Sequence, residues 1–150
     1  MKTIYLIIAI FIGITTVQAQ DSRYDKIKAL KTAHITQELD LSSEEAQEFW
    51  PIYNVYEQKM WSIRKRERRE IMEKIKKVGL DNMTNAEANG LIDIAIELEE
   101  LQLSERKQLI RQLQTILPPK KIIKLKKAEE DFKKQLLERY RQKRSQDKRP

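Results

Sequence analysis

Residues 42–79, SSEEAQEFWPIYNVYEQKMWSIRKRERREIMEKIKKVG, decide the fold. Ser42 and Glu45 have the spacing of a capping box: a hydroxyl takes one orphan N–H of a helix start, and a carboxylate three residues on reaches back to the cap. Phe49, Tyr53, Tyr56, Met60 and Ile63 then recur at steps of 4, 3, 4 and 3, a single apolar stripe along a helix. The pattern continues through Ile71, Ile75 and Val78, and Gly79 suits the residue just past a helix end. One helix is therefore expected over 43–78, ~54 Å long at 1.5 Å per residue. Pro51 lies inside it, removes one backbone bond and predicts a kink in the second or third turn.

Thr84 and Glu87 repeat the capping spacing and open a third helix that runs to about Leu117. Its expected buried stripe is Leu91, Ile94, Ala95, Leu98, Leu101, Leu109, Leu113 and Ile116. Pro118 and Pro119 stop it, and Pro119 is acceptable at the first position of a fourth helix. Ile122, Leu125, Phe132, Leu136 and Tyr140 mark that helix's inner face. Upstream, Ile27, Leu30 and Ala33 or His34 place a first helix over roughly 24–39. The fold class is therefore all-α: an elongated four-helix hairpin, with two long antiparallel helices and shorter flanking helices.

Charge sets which helices pair. Residues 62–78 hold eight bases and three acids, and residues 81–105 hold seven acids and no base. The short turn after Gly79 makes the two segments antiparallel neighbours. Bases then close one helix and acids open the next, as both macrodipoles prefer. Single exposed pairs are worth only a few tenths of a kcal/mol, so this pattern fixes partner and direction more than stability. Two long helices leave apolar surface for a partner, and a homodimer is the simplest expectation.

Composition narrows the function. The 150-residue chain has no Cys, one His, three Gly and a net charge of +7. Disulfide scaffolds, thiolate metal sites, multi-imidazole metal sites and Cys nucleophiles are excluded. No nucleophile–base pair, Gly-rich phosphate loop or zinc-protease motif is present, so an enzyme is not expected, and neither is a cofactor. Met1-Lys2, an apolar run from Ile4 to Ile14, and Val17-Gln18-Ala19 form a secretory leader, with cleavage after Ala19. An uncleaved anchor is the rival reading. The domain boundaries are 1–19 for the leader, 20–140 for the helical domain and 141–150 for a basic flexible tail. Export to the periplasm removes nucleic acid as a partner for the basic chain. Unfolded chains, partner proteins and an anionic membrane surface become the candidates. A cytoplasmic coiled coil bound to nucleic acid is viable only if the leader is false.

Trp50 and Trp61 lie 11 residues apart, nearly in register after three turns, and Asn54, Glu57, Arg64 and Arg68 share their line. An aromatic and cationic face of this kind can hold apolar or acidic segments without reading their sequence. The competing reading packs both Trp into a dimer interface. Residues 119–150 carry 13 bases and five acids, either a solvated helix or an attractor for acidic clients and lipid. His34 has no second His or Cys near it and reads as a packed or surface imidazole.

A weak repeat has an offset of 76: Leu41, Ala46, Phe49, Tyr56 and Met60 align with Leu117, Ile122, Leu125, Phe132 and Leu136. The chain here resembles the Spy/CpxP family of exported envelope-stress proteins, whose mark is an LTxxQ motif at the start of the second and fourth helices. The matching corners are Leu41-Ser42-Ser43-Glu44-Glu45 and Leu117-Pro118-Pro119-Lys120-Lys121. Glu45 stands where the first motif has Gln, and Leu117 is the residue kept in the second, with Pro118 and Lys121 at the Thr and Gln places. Phe49-Trp50-Pro51-Ile52-Tyr53-Asn54 is similar to a branch described as sensors linked to extracytoplasmic-function sigma factors. The resemblance implies an antiparallel cradle-shaped dimer, and ATP-independent binding of unfolded chains or a stress-sensing role. The alternative is a signalling partner of a membrane-bound sigma-factor regulator, without chaperone activity.

Overall fold

The computed structural model describes residues 15–146. The leader expected at 1–19 therefore lies mostly outside the described residues, as do the last four residues of the expected tail. Among the described residues there are helices and turns and no strand, and no helix is long and apolar enough to cross a membrane. Helix α1 spans Thr15–Leu39. Helix α2 comprises Ser43–Glu67, a π-helical stretch Arg68–Met72 and a last α-helical piece Glu73–Val78. Helix α3 spans Asn85–Leu113 and helix α4 Pro119–Gln146. The outer helices are the shorter ones, as expected, but by little: α1 has 25 residues and α4 has 28, against 29 in α3. Helix α4 also continues six residues past the expected end at Tyr140.

The capping signals work as read. Ser42 Oγ accepts the Glu45 N–H at 3.2 Å, and the Glu45 carboxylate accepts the Ser42 N–H at 2.8 Å. Thr84 and Glu87 do the same at the head of α3, at 3.2 and 3.1 Å. Gly79 ends α2 with φ +79° and ψ 143°, a combination that a side chain strongly disfavours, so glycine is needed there. Asp40 closes α1 at φ +49°, a left-handed position that a short polar side chain tolerates.

Pro51 lies inside the α-helical stretch Ser43–Glu67 of α2. A separate irregularity lies lower, where the Glu73 N–H donates to the Arg68 carbonyl, five residues back instead of four. A π turn of this kind fits one extra residue into the helix and re-aims the side chains beyond it. Nothing in the residue pattern of 68–72 announces it.

The chain forms two compact units. One is residues 41–122, in which α2 and α3 pack as an antiparallel hairpin around Phe49, Tyr53, Met60, Leu98, Leu109, Leu113 and Leu117. Three cross-hairpin ion pairs fix its direction: Lys59 with Glu105 at 2.7 Å, Arg66 with Glu97 at 2.7 Å and Lys74 with Glu87 at 3.0 Å; a fourth in the same unit joins Glu45 at the head of α2 to Lys121 in the first turn of α4 at 2.6 Å. As one partner's number rises the other's falls, which only antiparallel helices allow. Arg66 reaches both oxygens of Glu97 and also Glu70, the planar fork that arginine makes with carboxylates. The other unit joins the residues up to 40 with those from 123. Ile35, Leu39, Leu125, Ala128 and Phe132 are buried there. His34 is packed in it: Nε2 donates to the Ala128 carbonyl at 3.1 Å, and the ring lies 5.7 Å from Phe132.

The ion pairs give the hairpin an acid limit. Lys121 and the Ser42 N–H hold the Glu45 carboxyl below its ordinary value, Arg66 does the same to Glu97, and Lys74 with the Thr84 N–H to Glu87. A carboxyl held low in the fold binds its proton more readily unfolded. Its stabilisation is therefore complete above the ordinary carboxylate range and is lost as pH falls through the lowered values. Thermal melts followed by circular dichroism should give a constant Tm from pH 8 to 6 and a falling one below about pH 4.5. Arg66→Gln should shrink that acid-dependent fall; an equal fall in the variant contradicts the assignment.

Candidate functional site

The Trp and Arg line of α2 divides into two environments. Trp50 is half-buried in an aromatic cluster: its ring meets Phe49 edge-on at 4.9 Å and Tyr53 edge-on at 5.6 Å, while Phe49 stacks on Tyr53 at 5.2 Å. Edge-to-face and offset-stacked pairs suit the ring quadrupoles, so Trp50 serves the packing of the hairpin's upper end. Asn54 is half-buried one turn on.

Trp61 stands apart, 55% exposed. The Lys65 ammonium sits 5.0 Å from its ring centre, a cation–π contact that stiffens the indole without covering it. Trp61, Arg64, Lys65, Arg68, Arg69 and Glu73 line an open groove of about 530 Å³. The structure thus brings together Trp61, Arg64 and Arg68 of the expected face and leaves Trp50 and Asn54 outside the groove. Lys65 and Arg69 were legible from their spacing, four and eight residues after Trp61. Glu73 was not: on a regular helix it falls about 120° round from Trp61, and the π turn re-aims it.

Charge in the groove is unevenly engaged. Arg69 pairs with Glu70 at 2.9 Å. Among the described residues neither Arg64 nor Arg68 takes part in an ion pair. Four guanidinium or ammonium groups against one carboxylate leave a cationic slot with an aromatic floor at one end. Such a slot favours an anionic group next to an apolar or aromatic one.

The corner residues form a second feature. Leu117 is buried, its N–H donating to the Leu113 carbonyl at 2.8 Å, while Leu41 is half-buried. The Pro118 carbonyl accepts the Lys121 N–H at 2.9 Å, starting α4. Glu45 and Lys121, which occupy the same place in the two corners, meet directly through a hydrogen-bonded ion pair of 2.6 Å. The offset of 76 therefore has a physical counterpart, in which one corner's carboxylate receives the other corner's ammonium. The corners close the hairpin unit at one end.

A smaller cleft of about 220 Å³ lies between α2 and α3, with Pro51, Val55, Tyr56, Lys59 and Glu105 among its walls. Its polar groups already bond each other, Lys59 to both Glu105 and Gln108. No family model, curated protein or solved structure matches the chain.

Proposed function

We propose that the chain is an exported envelope-stress protein that binds unfolded or partly folded acidic segments of other proteins without nucleotide, in a chaperone-like or stress-sensing role. The observation that carries this reading is the exposed Trp61 beside Arg64 and Arg68, two arginines outside every ion pair among the described residues. Apolar surface gives affinity for an unfolded chain, and cations available for pairing select acidic ones. The open groove sets no demand on sequence. The leader read at 1–19 and the likeness of the two corners to the Spy/CpxP motifs support the compartment and the class.

The test is light scattering from an acidic protein unfolded by reduction, at a one-to-one ratio with the exported form of the chain. Wild type should suppress aggregation. Trp61→Ala/Arg64→Ala/Arg68→Ala should lose at least half of the suppression at unchanged helicity, because all three side chains are exposed and stabilise little. Absence of suppression by wild type removes the chaperone reading.

The segment Phe49–Asn54 favours the second reading, a signalling partner of a membrane-bound sigma-factor regulator. Under it, deleting the gene changes the expression of neighbouring stress genes, while the purified protein leaves aggregation untouched.

A further inference from the structure

Helix α3 carries more apolar residues than one stripe can use. Leu98, Leu109 and Leu113 face α2, but Ile92, Ile96 and Leu103 are 54%, 52% and 55% exposed. These three fall on one line, within about 40° of each other at 100° per residue. Asp93, Glu99 and Glu100 are exposed along and beside that line, and among the described residues none of them is paired with α2. The result is an aliphatic, anionic stripe, the chemical complement of the aromatic, cationic one on α2.

The two stripes look out of the same side of the hairpin. Trp61 follows the core residue Met60 by one position, and Glu99 follows the core residue Leu98 by one position. Each stripe is thus displaced from its core line in the same rotational sense. On antiparallel helices, equal senses of rotation bring both displacements to one broad face. That face is positive over α2 and negative over α3.

A face of this kind can pack on a second copy of itself in two ways. A twofold axis running across the helices lays α2 on α2, cation on cation. A twofold axis parallel to the helices lays α2 on the other copy's α3, and by symmetry α3 on the other copy's α2. Only the second matches charge; it runs the two hairpins parallel and so departs from the antiparallel dimer that the family resemblance implies. Such an axis also preserves height along the hairpin. The internal pairs Lys59–Glu105 and Arg66–Glu97 then set the register between copies. Trp61 lies beside Leu103 of the other copy, Lys65 beside its Glu99 and Glu100, and Arg68 beside its Ile96 with Asp93 one turn away.

We propose that the chain self-associates through this face, with the Trp61–Arg68 stripe of each copy seated on the Ile92–Leu103 stripe of the other, and that self-association closes the groove. The second part rests on the client-binding role proposed for the groove. Client and second copy then compete for the same arginines, and dilution or salt, which weakens exposed charge pairs, opens the groove.

Sedimentation velocity on the exported form of the chain tests it. Lys65→Glu/Arg68→Glu puts acids against acids and should weaken self-association at least about tenfold; Glu99→Lys/Glu100→Lys puts bases against bases and should do the same. Mixing the two variants in equal amounts restores opposite charge at both halves of the interface. The mixture should associate within about threefold of wild type. A wild-type chain that stays monomeric to about 100 μM, swaps that leave association unmoved, or a mixture that fails to recover would each overturn the interface. Glu99→Lys/Glu100→Lys keeps the groove intact. It should suppress client aggregation at a lower ratio than wild type, and suppression equal to wild type refutes the competition. If the swaps weaken association and the mixture restores it but wild type suppresses nothing, the interface stands and the client reading falls.

Discussion

Phe49→Ala is expected to destabilise the hairpin by about 3–5 kcal/mol, as large-to-small changes at fully buried aromatics do. Phe49 is completely buried, stacks on Tyr53 and receives the edge of Trp50. Alanine removes the apolar area, leaves a void that α2 and α3 cannot collapse into without breaking register, and strips two rings of their partner. Against a total stability of about 5–15 kcal/mol, this is a large fraction. Tm should fall by on the order of 10 °C or more for a chain of this size. Phe49→Leu keeps most of the volume and should recover more than half of the loss. A fall of less than about 1 kcal/mol for Phe49→Ala, by urea titration, would mean that this end of the hairpin is not held by the aromatic cluster.

Phe49 was also the easiest residue to read. It sits one turn after a capping box, on a stripe with period near 3.6, and nothing competes for the inner face of that turn. The same holds for Ser42, Gly79, Thr84 and Pro119, whose roles are set by the backbone within a few residues of themselves. The partner and direction of α2 and α3 were legible because a basic run meets an acidic one across a short turn. The features that could not be read depend on distances that the sequence does not carry. The π turn at 68–72 is a small backbone adjustment with no dedicated residue type. Leu30 and Tyr140 were expected on inner faces and are 43% and 50% exposed, because a helix can continue beyond the surface that buries it. The candidate site divides the same way: Trp61, Arg64 and Arg68 share a groove as their spacing implied. Trp50, on the same line, is drawn into the aromatic cluster by Phe49 and Tyr53.

Helix α3 shows where periodicity alone fails, and it supplies the second large effect. The expected buried stripe included both Leu98 and Leu101, while Leu103 was left off it. In the structure Leu98 is buried, Leu101 is 40% exposed, and Leu103 points outward. Leu98→Ala should therefore cost about 2–5 kcal/mol, the transfer term plus the cavity left in the hairpin's core. Leu103→Ala, the same change five residues on, should stay within about 0.5 kcal/mol, because its side chain is already in water and leaves no void. The two readouts should also cross over. Leu98→Ala lowers the urea midpoint and, while the chain remains folded, leaves the association constant of the two copies where it was. Leu103→Ala leaves the midpoint alone and weakens association, since Trp61 of the other copy loses the aliphatic surface it rests on. If both variants lose stability alike, Leu103 belongs to the monomer's core and the exposed stripe is not a surface at all. If neither changes association, the apolar part of the stripe contributes nothing between copies, and charge alone would have to hold them.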